Sequence, residues 1–282
     1  MKTGSSPLAN TYKEPAAPIL VETALLGQGL PSIDNECIAD LWPAVPGIEL
    51  VWLQEGRVVS GGLEELLAVR PRQEWERINS SNLERSAERK ASGYLTASAV
   101  LKISSRSTGR IVVTAGMGGV RAGIVSPDLM EIKPGGILIA SAFKDTIEAE
   151  ASLEYLRKRR VITAGWQSAR ADGFLFLDHG CDLDIRCDDD FLSAKGLGGG
   201  FFTSFGLIMF NPLELSKRIP DRGCLERAAA KGQVALDNGL EFHPQVNAAL
   251  DEMTGGHSSQ LQLHALVDNL RLALLLMDNH ML

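Results

Sequence analysis

No stretch of this sequence approaches the ~20 consecutive apolar residues that a bilayer-crossing helix requires. The longest apolar runs, at 135–143 and 270–277, are short, so a membrane partner is not expected. Long basic runs are missing too. Lys plus Arg is 28 against 35 for Asp plus Glu, a net charge of −7, and such a surface repels a polyanionic backbone. A nucleic-acid polymer is therefore excluded, whereas a single phosphate needs only a few local cations. Cysteine is scarce: Cys37, Cys181, Cys187 and Cys224 form no CxxC pair, and no His stands at metal-finger spacing. Reduced thiols in a cytoplasmic protein are the expectation. Neither GxGxxG nor the GK[ST] ending of a phosphate loop occurs, which removes the main support for a nucleotide-cofactor oxidoreductase. Repeats are absent, which excludes a solenoid. The polar, Pro-rich start has no apolar signal core, so residues 1–17 read as a mobile arm and 18–282 as a single α/β catalytic domain.

What the sequence does contain is an alternation of short apolar runs with longer helical patterns, the signature of stacked βα units. Strands are expected at 18–22, 48–53, 110–115, 136–142, 160–164 and 207–211. Helices are expected at 64–69, 95–105, 146–159, 223–238, 244–254 and 258–277. The implied fold is α/β, a layered mixed sheet flanked by helices, with the C-terminal helices covering one side. Residues 169–190 suggest only loops with one or two short strands.

Two glycine clusters stand out. GLGGG at 196–200 reads as a flexible turn. TAGMGGVRAG at 114–123 follows a strand directly; its glycines would let backbone N–H groups approach an anion, with Arg121 adding charge. A plain tight turn explains the same spacing, and the residues alone leave both open.

Several blocks taken in order resemble the pseudouridine-5′-phosphate glycosidase family. VETALLGQGLP (21–31) is similar to its opening motif, GRVVSGGL (56–63) to its hairpin, and TAGMGGVRAG to its glycine loop. SAFKDTIEAEASLEYLRKRRVITAGW (141–166), MFNPLE (209–214) and MTGGHSSQLQLHALVDNLRLALLL (253–276) follow with matched spacing. The resemblance implies a glycosidase-like α/β fold, a homotrimer, and reversible joining of uracil C5 to C1′ of ribose 5-phosphate through a lysine imine.

Lys144 falls on the family's nucleophile, ten residues before Glu154. A position after an apolar strand and before the helix at 146–159 would desolvate the amine and set it near a positive helix end, favouring its neutral form; a solvated surface lysine is the plainer alternative. Glu22, closing the first strand, is the candidate general acid/base, and Asp128 of IVSPDL is kept as a third catalytic position. Arg77 and Arg121 fall where the family places cationic phosphate contacts, and Arg suits phosphate through paired hydrogen bonds. Thr96, Thr114, Ser126 and Gln262 match positions lining the sugar and base pocket.

Departures cluster on the acceptor side. The family's divalent-metal aspartate falls at Ile124, which supplies no oxygen, so no cofactor is expected. Its late asparagine falls near Gln262, and its paired asparagines are Asp268 and Asn269. The small-molecule partners implied are ribose 5-phosphate and a uracil-like or aromatic acceptor. Alternatives are a natural-product C-ribosylating synthase with a non-uracil acceptor, or a non-catalytic phosphosugar-binding relative.

Overall fold

Strands β1 (Ile19–Glu22) and β2 (Ile48–Gln54) of the computed structural model sit inside a ten-stranded sheet. The structure describes residues 18–70, 74–105, 110–178, 180–189 and 204–278; the expected arm at 1–17 and the glycine turn at 196–200 lie outside these residues. Antiparallel to β2 run β3 (Arg57–Gly61) and β5 (Gly93–Leu95), and β5 pairs in parallel with β4 (Glu76–Ile78). On the other side of β1, a parallel series continues through β6 (Ile111–Val113) and β10 (Ile137–Ala140). From β10 it reaches β16 (Gly206–Phe210), β12 (Val161–Trp166) and β15 (Ile185–Cys187). Shorter pairs join β7 (Gly116–Met117) to β11 (Ala142–Phe143), β8 (Val120–Arg121) to β9 (Ile124–Val125), and β13 (Arg170–Ala171) to β14 (Cys181–Asp182).

The central strands are apolar at nearly every position because both faces are covered. One face presents Val21, Leu50, Val113, Ile139 and Met209 to the C-terminal helices α7 (Arg222–Asp237), α8 (Phe242–Met253) and α9 (His257–Asp278). The other presents Leu20, Val51, Val112, Leu138 and Ile208 to α4 (Ala97–Ser104), α5 (Pro127–Glu131) and α6 (Ala149–Lys158). Three short helices, α1 (Asn35–Leu41), α2 (Leu63–Val69) and α3 (Leu83–Glu88), a π-helical turn at Leu25–Gly29 and a 3-10 turn at Leu215–Lys217 complete the described elements. Asp34 and Asp221 accept from Cys37 N and Gly223 N, capping α1 and α7.

Three expectations need correction. The helix expected at 146–159 begins at Ala149, because Ile147 N turns back to Lys144 O and Glu148 N bonds Val120 O. Those residues anchor the glycine loop instead of starting a helix. The apolar runs at 110–115 and 136–142 each break, after Val113 and Ala140, and resume as β7 and β11. Segment 169–190 holds three short strands, β13, β14 and β15, more than the one or two expected.

Candidate functional site

The site grows from that double break. Thr114 N still bonds Ile139 O at 3.0 Å, Ser141 N reaches Ala115 O at 2.7 Å, and Lys144 N reaches Met117 O at 2.9 Å. The two parallel strands thus bend together and stay paired, carrying Lys144 past the carboxyl edge of the sheet, where open α/β folds gather their sites. Asn269 of α9, fully buried, holds the bend: its Nδ2 donates to Thr114 O at 2.7 Å and its Oδ1 accepts from Ser141 Oγ at 3.3 Å.

Glu22 ends β1 at the same edge and is 6 % exposed. Thr114 Oγ1 donates to its Oε1 at 2.6 Å. Burial pushes the Glu22 pKa up, against the pull of Arg77, Lys144 and the Thr114 bond. Burial and the neighbouring Arg77 charge push the Lys144 pKa down, against Glu22, Asp128 and Glu241. α6 starts five residues beyond Lys144, further along the chain than expected from sequence.

Arg77 on β4 places Nε 3.5 Å from Glu241 Oε2. Arg121 on β8 stacks its guanidinium 3.6 Å from the Phe242 ring centroid and donates to Gln233 Oε1 at 2.9 Å. The two arginines therefore bracket adjacent residues, Glu241 and Phe242, at the start of α8. His243 follows, and burial together with Lys144, Arg77 and Arg121 holds its pKa well below the ordinary value. The two guanidiniums and the Lys144 amine together disfavour a protonated imidazole there, a setting that favours an anion.

Asp128 sits differently from the other candidates. Its carboxylate accepts from Ser98 N at 3.1 Å and Gly118 N at 2.8 Å, tying the start of α4 to the glycine loop. It adds negative potential at Glu22 and Lys144, but its bonds are those of a brace. The loop amides at Gly118, Val120 and Ala122 are taken by Asp128, Ser152 and Glu148, so they form no open anion cradle. Gly118 is required for packing, because a Cβ there would lie 2.7 Å from Ser126 Oγ. Thr96 stands at the N-cap position of α4 with no capping bond from its side chain, and its Oγ1 lies 2.9 Å from Ser98 Oγ. Buried Ser126 Oγ and Gln262 Nε2 have no hydrogen-bond partner among the described residues. Ile124, on the β8–β9 hairpin, is 73 % exposed, and among the described residues no cluster of three or more His, Cys, Asp or Glu side chains could hold a metal. The donors present do not fit the divalent ion the resemblance implied.

Three residues of the site escaped the sequence reading, Glu241, His243 and Asp145, and Asn269 was read only as one of the family's paired asparagine positions. Asp145, beside Lys144, accepts from the N–H groups of Phe174, Leu175 and Phe176 at 3.0, 2.9 and 3.2 Å. Among these, only the EFHP stretch carried a signal, an acid and an imidazole immediately before the expected helix at 244–254.

Fold and site define an α/β protein in which a buried acid, a desolvated amine and two guanidiniums meet at the edge of a mixed sheet. The chain belongs to the indigoidine synthase A-like protein family, whose profile matches residues 43–276. It is 26% identical to a pseudouridine-5′-phosphate glycosidase of Methylobacterium nodulans, over 95% of this chain and 85% of that protein. To the enzyme of the same name from Thermotoga maritima it is 25% identical, over 80% of each. An indigoidine synthase A-like protein of Thermotoga maritima shares the fold with a TM-score of 0.71 at 23% identity, covering 93% of both chains. So does the prealnumycin C-glycosynthase AlnA, solved with ribulose 5-phosphate: TM-score 0.68, 17% identity, 94% of this chain and 95% of that one. The family and fold expected from the motifs are thereby shown. Among the described residues no helix is long and apolar enough to cross a membrane.

Proposed function

We propose that this protein is a C-glycosidase/C-glycosynthase that makes or breaks a carbon–carbon bond at C1′ of ribose 5-phosphate. The observation that carries the reading is the placement, at one edge of the sheet and within electrostatic reach of each other, of an amine with lowered pKa, Lys144, and a buried carboxyl with raised pKa, Glu22. A C–C bond at C1′ needs a reversible electron sink there. In the synthetic direction, neutral Lys144 adds to the open-chain aldehyde and water leaves, giving a protonated imine. The acceptor carbon supplies the electron pair of the new bond while the C=N pair returns to nitrogen. The 4′-hydroxyl then displaces the amine and closes the ring. Glu22 exchanges the protons these steps release and consume, and Arg77 with Arg121 holds the 5′-phosphate. No step passes through a metal ion.

Relatives named for pseudouridine 5′-phosphate support uracil as the acceptor. The fold shared with a C-glycosynthase, together with Ile124 and Gln262 at altered acceptor-side positions, supports a different aromatic acceptor. A merely phosphosugar-binding protein requires neither the amine nor the acid. On the same reading, residues 18–282 act as one catalytic domain and the chain assembles as a trimer.

The test is to incubate the protein with ribose 5-phosphate and borohydride, then map peptides by mass spectrometry. A reduced adduct on Lys144, absent in Lys144→Ala, is expected; an adduct on Lys90 or Lys102, or full turnover in Lys144→Ala, overturns the mechanism. A panel of acceptors that includes uracil then separates the two acceptor readings.

A further inference from the structure

Beside Lys144 lies a narrow cavity of about 20 Å³, lined by Lys144, Asp145, His243, Asn247 and Gln262 on its polar side and by Phe174 and Leu250 on its apolar side. That volume suits one water, which also needs two to four polar partners; it is far too small for a nucleobase. Gln262 is 2 % exposed, and its Nε2 finds no partner among the described residues. The cavity thus offers a water an amide donor and an imidazole next to the reacting amine.

We propose that this cavity seats the water that hydrolyses the Lys144 imine, with His243 as its general base and Gln262 as its anchor. The inference rests on the imine reading above and names the residues that complete its cycle. His243 takes a proton from the water as the water oxygen bonds to C1′ and the C=N electron pair moves to Nζ. The resulting carbinolamine breaks its C–N bond as that proton passes to Nζ, and loss of the hydroxyl proton frees the aldehyde. The sum is imine plus water giving aldehyde plus lysine, with no other reactant. In reverse, the same groups accept the water expelled when the imine forms.

The imidazole is suited to this because its surroundings keep it unprotonated. Lys144, Arg77 and Arg121 face it and disfavour its cation, as does burial. Glu241, next but one on the chain, is paired with Arg77, and Asp145 directs its carboxylate to three backbone N–H groups. Phe242 meets the His243 ring edge-on at 5.3 Å, fixing its plane.

Exchange of the C1 oxygen of ribose 5-phosphate with ¹⁸O-labelled water reports each cycle of imine formation and hydrolysis, with no acceptor required. Native protein should accelerate exchange. In His243→Gln the rate should fall about a hundredfold, the range for loss of a general base, while the equilibrium amount of borohydride-trapped Lys144 adduct stays unchanged. The native exchange rate should drop as pH falls through a value below the ordinary His range, and this limb should vanish in the variant. Gln262→Leu should slow exchange with the limb retained. Native-like exchange in His243→Gln, or an unaltered acid limb, overturns the role of His243 while the imine stands. Absence of any Lys144 adduct in the native protein overturns the imine reading itself. Circular dichroism checks that both variants fold; if His243→Gln does not, His243→Asn takes its place under the same criteria.

Discussion

Thr114 Oγ1 donates to Glu22 Oε1 at 2.6 Å across the ends of two adjacent parallel strands, with both residues buried. The bond favours the ionised carboxylate, while burial opposes it more strongly. Thr114→Val keeps the shape and deletes the donor. The Glu22 pKa should therefore rise further, and any limb of the pH–rate profile governed by its ionisation should move to higher pH. Such a limb left in place would dissociate Glu22 from the rate.

Glu22 also has a signed effect on stability. Its folded pKa is raised above the ordinary value of 4.5, so its stabilising contribution is complete below that value and is lost as pH rises through the folded pKa. Glu22→Gln retains an acceptor for Thr114 and never ionises. The thermal midpoint of the variant relative to the native protein should increase from about pH 4.5 to neutrality, while turnover is lost. A pH-independent difference would show that Glu22 does not titrate as an isolated buried acid.

Arg77 and Arg121 flank the start of α8 from two strands. Each alanine variant should bind ribose 5-phosphate about ten- to a hundredfold more weakly, the equivalent of roughly 1.5–3 kcal/mol for a charge-assisted contact. Calorimetric titration with unphosphorylated ribose should show little change. Equal weakening for both sugars would assign the arginines a structural role.

Activity should survive thorough chelation, because Ile124 projects into solvent where the resemblance placed a carboxylate. Loss on chelation with recovery on manganese would mean that oxygen ligands come from elsewhere in the chain.

Asn269→Leu should lower the denaturation midpoint, since Thr114 O loses its strongest side-chain donor and Ser141 Oγ its acceptor inside the core. A cost of about 1–3 kcal/mol per unsatisfied group is the expected scale. Chemical denaturation with an unchanged slope is the measurement, and an unaltered midpoint would mean the bend holds itself.

Strands 18–22, 48–53 and 207–211 were legible because buried parallel strands are apolar throughout, and the C-terminal helices because their apolar faces repeat at helical spacing. The bend after Val113 and Ala140 was not, since an apolar run looks the same whether it continues or breaks; what distinguishes them is Asn269, more than a hundred residues away. The resemblance supplied Lys144 and Glu22, and the structure brings both to one edge. It could not show that Asp128 is spent on Ser98 and Gly118, because a carboxylate that braces and one that reacts share the same letter. His243 was hidden by ordinary context: a lone histidine at a helix start gains meaning only when Arg77, Arg121 and Lys144 arrive from three other elements.

The single amide of Asn269 sets the phase between the strand bearing the acid's partner and the strand leading to the amine. Glu22 and Lys144 are thus registered to one another through α9, whereas Glu241 precedes α8 and His243 and Asn247 ride on it. Substitutions along α8 leave the spacing between Glu22 and Lys144 in place. One helix fixes where the amine stands, and the other, through Glu241, adjusts its charge.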